Sequence, residues 1–154
     1  MIEFTEVTEE HLRTVAQNMR DADIEEVWAA TRHTPLQALT DGVMKSEHSV
    51  TVKWGGEAVA VYGLRAGAAL SGIGVPWMLT AGGILNCRRE LMTHTPVVLG
   101  KMLLKCGLLE NQVHVENKVS IGWLSRMGFT IDSPEPTGVE GGMFHRFHMG
   151  AADV

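Results

Sequence analysis

Cysteine, tyrosine and positive charge are all scarce in this chain. Its 154 residues hold two cysteines, Cys87 and Cys106, and a single tyrosine. The cysteines stand far apart, in no CxxC or Cys-His spacing, so there is neither a disulfide framework nor a zinc pattern to read, and two reduced thiols are expected. No apolar run reaches the ~18 residues of a membrane-spanning helix. No basic-then-apolar leader opens the sequence, so a secretion signal is not expected either. Lysine and arginine number 13 against 18 acidic residues, a net charge of −5. Affinity for nucleic acid comes largely from cationic side chains neutralising phosphates, so that partner is disfavoured. A Ser-His-Asp order, a phosphate-binding lysine motif, internal repeats and low-complexity tracts are absent as well.

What remains is globular. Apolar residues make up 45% and charged residues 20%, and 17 glycines predict many turns or close backbone approaches. The length is that of one domain, 1–154, able to bury roughly two-thirds of the surface its unfolded form exposes.

Periodicity places the elements. Residues 2–7 alternate apolar and polar as a strand, and Thr8 can cap a helix carrying Leu12, Val15, Ala16 and Met19. Asp21 or Asp23 can start a second helix through Ile24, Val27 and Trp28. Thr34-Pro35 is a cap with proline at the first helical position, leading Leu36, Leu39, Val43 and Met44. Two β-rich runs, 49–54 and 57–64, are joined by Gly55-Gly56, which supplies the positive φ of a tight hairpin; Gly63 is expected as a bulge. Residues 65–74 read as a loop and 75–80 as a buried strand with Pro76 at its start, where no ladder donor is lost. Two helices follow, around 86–93 and from Thr95-Pro96 to Cys106. Residues 130–132 and 143–149 read as late strands separated by turn chemistry. The order β-α-α-α-β-β-β-α-α-β-α-β-β predicts a mixed α/β (α+β) fold, with one central, mostly antiparallel mixed sheet and helices on both faces.

Several side chains invite chemistry. His145 and His148 resemble a metal pair, but residues three apart on a strand point to opposite faces, so no metal site is expected. His114 and Glu116 share one strand face, where a carboxylate could orient an imidazole. Glu25 and Glu26 on the second helix could supply a base for an amine. Trp28, Trp54, Trp77 and Trp123, with nine methionines, suit a core or a partner surface.

Residues 113–129 are the most organised stretch. Val113 and Val115 alternate with His114 and Glu116, and Asn117 is placed to cap a helix through its side-chain oxygen. Val119, Trp123 and Met127 recur at four-residue spacing, and Gly128 supplies a left-handed stop before Phe129. Through Asn117, Ser120, Ile121, Trp123, Leu124, Met127, Gly128 and Phe129, this stretch resembles the second half of the GCN5-related N-acetyltransferase (GNAT) fold.

The resemblance implies a single GNAT-like domain over 1–154, with acetyl-CoA as cofactor and no metal. It implies that the amides of Leu79 and Thr80 polarise the thioester, that Gly82 and Gly83 approach the pyrophosphate with Arg88 or Arg89 nearby, and that Asn117 contacts the cofactor arm. Two departures stand out. The turn Thr80-Ala-Gly-Gly-Ile-Leu-Asn86 lacks the family's glycine spacing, and the proton-donating tyrosine expected seven residues after the asparagine is Leu124. The leucine version is similar to acetyltransferase-like internal virion proteins of short-tailed phages. That branch implies a phage structural or host protein as partner, in the host cytoplasm or associated with the virion. Two functions stay open: an N-acetyltransferase acting on a protein or small amine, and a binding module of virion assembly or ejection without turnover. The two departures favour the second.

Overall fold

The computed structural model describes residues 1–67 and 71–151. The chain opens with β1 (Ile2–Glu6), α1 (Glu9–Gln17), α2 (Asp21–Thr31) and α3 (Pro35–Lys45). Thr8 and Thr34 cap α1 and α3 as expected: each hydroxyl accepts the N–H three residues on, from His11 and Gln37, and those side chains accept the threonine N–H in return. The hairpin follows as β2 (Ser46–Trp54) and β3 (Glu57–Ala66), turned by Gly55 and Gly56 at φ of 58° and 81°. Then come β4 (Ile73–Thr80), a 3₁₀ turn at Gly82–Asn86, α4 (Arg88–Lys105), β5 (Leu108–His114), α5 (Lys118–Arg126), β6 (Thr130–Ile131) and β7 (Phe144–Gly150).

The seven strands form one sheet in the order β1-β2-β3-β4-β5-β7-β6. Every neighbouring pair is antiparallel except β4 and β5. Helices α1 and α3 bury Leu12, Val15 and Leu39 against Val61 on one face. On the other, Leu91 of α4 and Trp123 of α5 pack with Val52, Val59 and Ile84. A third cluster, including Leu99, Leu109, Val113, Phe129 and Phe147, covers the C-terminal strands. The mixed α/β architecture with a mostly antiparallel sheet is the one expected.

Several local expectations are corrected. The two helices expected between residues 86 and 106 are one, with Pro96 inside it. Apolar burial on both sides of the proline carries the helix through, since Leu91 and Leu99 both reach the core. Gly63 is not the bulge; the extra residues are Glu47 of β2, at the Ser46/His48 shift, and Val59 of β3, opposite the Val52/Lys53 shift. Gly63 instead makes room for an aromatic ring: a Cβ there would lie 2.9 Å from Trp77 Nε1, and one at Gly42 2.9 Å from Trp77 Cζ2. Trp77 is therefore clasped between β3 and α3, its indole N–H donating to Ser46 Oγ at 2.8 Å. Strand pairing also shortens the expected 65–74 loop from both ends, to Ala66 and Ile73; residues 68–70 of it lie outside the described residues. Pro76 sits fourth in β4 rather than first, on the edge that β5 leaves unpaired.

Candidate functional site

The parallel ladder between β4 and β5 is two pairs long, Ile73 with Leu108 and Gly74 with Leu109. Beyond it the strands diverge into a wedge. Ala81 N–H donates to Val59 O at 2.8 Å, which fixes the alternation: odd-numbered residues of β4 turn their backbone groups to β3, even-numbered ones to the wedge. Pro76, Met78 and Thr80 thus present their edge to a gap in which no strand of the described residues lies, and proline there forfeits no ladder bond.

Side chains and a piece of chain from outside the sheet fill both ends of the gap. Near the ladder, Asn111 Nδ2 donates to Pro76 O at 2.8 Å. At the far end, Arg20 N–H donates to Thr80 O and Gly82 N–H to Asn18 O, both at 3.0 Å, forming an antiparallel bridge centred on Met19 and Ala81. Asp23, on the first turn of α2 and only 3% exposed, is the hub. Its Oδ2 accepts Thr80 N–H at 2.9 Å and the Thr80 hydroxyl at 2.5 Å. Its Oδ1 accepts Arg20 Nη2 and Asn117 Nδ2, each at 2.9 Å. The Arg20 guanidinium also donates to Thr80 Oγ1 at 2.8 Å, Ser120 Oγ at 3.2 Å and Asn117 Oδ1 at 3.3 Å. One buried ion pair, with every partner hydrogen-bonded, thereby ties the end of β4 to the turn after β5.

Between the two closures lies a cavity of about 340 Å³, lined from both faces of the sheet by residues that include Glu26, Trp77, Met78, Trp123 and Leu124. Glu26 holds its place through Asn117 Nδ2, which donates to its Oε2 at 2.6 Å. Burial dominates its ionisation and raises its pKa from 4.5 to about 7; the Asn117 hydrogen bond opposes this, the Asp23 charge adds to it, and the His114 backbone N–H and Arg20 charge oppose it. Glu25, its neighbour in sequence, is exposed. A helical turn carries one carboxylate inward and leaves the other in water.

The residues singled out from sequence divide as follows. Leu79 turns its backbone to β3 by the alternation above and packs among the α1 and α3 side chains. Thr80 has its N–H, O and hydroxyl engaged. Gly82 gives its amide to Asn18, and a Cβ at Gly83 would lie 2.8 Å from Val59 Cγ1, so that glycine admits β3 rather than open space. Arg88 and Arg89 are exposed at the start of α4. Asn117 occupies the N-cap position of α5 without capping it through its side chain. Its amide hydrogens go to Asp23 and Glu26 and its oxygen accepts from Arg20, charged partners that outcompete the neutral amides of the helix.

The other pairings dissolve. The Glu116 group that meets His114 is the backbone N–H, at 3.3 Å from Nδ1, and the imidazole packs edge-on against Phe144. His145 and His148 both turn to Asp132, one to its carbonyl and one to its carboxylate. Among the described residues no group of three or more His, Cys, Asp or Glu is placed to hold a metal, and no helix is long and apolar enough to cross a membrane. Sequence reasoning missed Arg20 and passed over Asp23 as a helix start. The available signal was spacing: Asp23 precedes the buried Val27 by four, which puts a carboxylate on the inward stripe of α2.

No protein-family model and no curated protein matches the sequence. Solved structures do match the fold along nearly the whole chain. An acetyltransferase of the GNAT family from Bacillus anthracis superposes with a TM-score of 0.71 at 10% identity, covering 97% of this chain and 94% of its own. Aminoglycoside acetyltransferase AAC(6')-Ib, in complex with coenzyme A and kanamycin, gives 0.69 at 12% identity, with 99% and 96% covered. Ribosomal-protein-alanine N-acetyltransferase from Brucella melitensis gives 0.67 at 14%, with 96% and 99% covered. The chain has the fold of GNAT acetyltransferases.

Proposed function

We propose that this protein is a GNAT-fold binding module that has kept the architecture of an acetyltransferase without its cofactor chemistry, and that it serves in phage virion assembly or ejection. The observation that carries the first part is the state of the cofactor end of the wedge. A coenzyme A arm entering there needs free backbone groups on β4 and a cradle of amides for its pyrophosphate. The residues present do not fit that group: Thr80 and Gly82 are hydrogen-bonded within the chain, Gly83 is packed under Val59, and Asn117 has no amide hydrogen left to give. Leu124, which lines the cavity, has no proton to donate. The phage setting rests on the resemblance of residues 113–129 alone.

The test is a thermal-shift titration of the full chain with acetyl-CoA. A ligand that binds the native state raises its melting temperature by mass action, by about 2.7 kcal/mol of stability at a hundred times Kd. No shift at millimolar acetyl-CoA is expected. A saturable rise at micromolar concentration would overturn the reading. The virion role predicts co-purification with phage structural or assembly-intermediate proteins, and absence from both would remove it.

A second reading has one observation in its favour. Glu26 lines the cavity beside Asn117 with a pKa near 7, a value suited to taking a proton from an amine at neutral pH. In that reading the protein is an acetyl-CoA-dependent N-acetyltransferase for a protein or small amine. Acetyl transfer to an amine panel, followed by mass spectrometry and lost in Glu26→Gln, would establish it.

A further inference from the structure

We infer that residues 18–23 are a built-in occupant of the wedge: a piece of this chain that takes, on the free edge of β4, the hydrogen-bonding positions an extended amide-bearing ligand would take. The inference rests on the reading that the cofactor end is held shut, and it adds what shuts it and how it can be opened.

Edge chemistry requires an occupant. Once β5 diverges after Gly74, the even-numbered backbone groups of β4 have no strand to pair with, and unpaired polar groups at a buried edge are costly. The structure answers with backbone first. Arg20 N–H to Thr80 O and Gly82 N–H to Asn18 O are the two bonds of one antiparallel bridge, so residues 18–20 lie along Thr80–Gly82, the last residue of β4 and the two that follow it, as a three-residue strand would. Met19, at the centre, is 6% exposed and packs among the α1 and α3 side chains, which anchors the fragment.

The charged groups that follow Met19 then lock it. The side chains of Arg20 and Asp23 are 9% and 5% exposed, and between them they bond Thr80 on one strand and Asn117 and Ser120 on the far side of the gap. A segment needed only to link α1 to α2 has no reason to bury an ion pair there, since desolvating two charges is expensive unless each has its partners. Coverage is also selective. Thr80 and Gly82 are taken, while the Met78 edge, one pleat further in, borders the cavity. The occupant fills the end of the slot and stops where the space begins.

Two variants of the full chain test this: Arg20→Met, which keeps apolar bulk and removes the guanidinium bonds, and Asp23→Asn, which keeps shape and removes the charge. Amide hydrogen exchange at Thr80 and Gly82, read by NMR, is expected to quicken by about tenfold or more in Arg20→Met as the fragment lifts locally. Pantetheine, an amide-bearing arm without phosphates, is then expected to raise the melting temperature of the variants at millimolar concentration and to leave wild type unmoved. If Asp23→Asn fails to fold, Arg20→Met decides alone. A folded Arg20→Met with unchanged exchange at both amides overturns the inference. So does faster exchange with no pantetheine response, which leaves the shut-wedge reading standing. A wild-type response to pantetheine or acetyl-CoA overturns that reading itself.

Discussion

Replacing Glu26 by glutamine tests the electrostatics of the cavity through stability alone. The Glu26 side chain lines the cavity, and its pKa is raised from 4.5 to about 7, chiefly by burial. An acid whose folded pKa lies above its unfolded one holds its proton more tightly when native. Its contribution is therefore most favourable below about pH 4.5, declines as pH rises through the interval, and is lost above about pH 7. Across that interval, at ~1.4 kcal/mol per pH unit, the ionised form comes to cost up to about 3 kcal/mol. The substituted amide would keep an acceptor for Asn117 Nδ2 without ever ionising. The expected outcome is a Glu26→Gln variant close to wild type at pH 4 and more stable by up to about 3 kcal/mol at pH 8, measured by urea unfolding across that range. Subtracting the two curves removes the groups they share. A difference independent of pH would show that Glu26 titrates as a solvated carboxylate and that burial does not raise its pKa.

Two further substitutions probe packing and polar burial. Gly83→Ala should cost about 1–3 kcal/mol by overpacking, since its Cβ would meet Val59 Cγ1 at 2.8 Å, whereas Gly82→Ala meets nothing within 4 Å and should change stability far less; equal costs in thermal unfolding would refute the contact. Thr51→Val should stabilise by about 1 kcal/mol, because the buried Thr51 hydroxyl has no partner among the described residues and sits opposite the Thr5 hydroxyl, which likewise has none among them, across β1 and β2; a loss of that size instead would reveal a partner between them.

Local signals were legible where local physics decides. Thr8, Thr34-Pro35 and Gly55-Gly56 act over three or four residues, and each appears where the sequence puts it. The resemblance carried by residues 113–129 likewise anticipated the fold, because its strand, turn and helix are consecutive. Illegible were features set by residues far apart in the chain. Asn117 reads as a cap until Asp23 and Glu26 arrive, 94 and 91 positions away. Pro96 reads as a helix start because sequence does not show that Leu91 and Leu99 both reach the core. Gly63 reads as a bulge because the ring it accommodates, Trp77, belongs to another strand. The candidate site is almost wholly of this second kind: Thr80 and Asn117 were singled out by resemblance, while Arg20 and Asp23, which bond both of them, were not.

The two-pair junction of β4 and β5 has a mechanical consequence. Strands β1–β4 are drawn from residues 2–80 and β5–β7 from residues 108–150, so the sheet is two leaves, each nearly continuous in sequence, bound along a short spine. Where a full ladder would join them through backbone, here the coupling falls largely to side chains, the bonds of Arg20 and Asp23 to Asn117 and the packing of Trp123 with Val52 and Val59, so those contacts rather than strand pairing set the energy at which the leaves part.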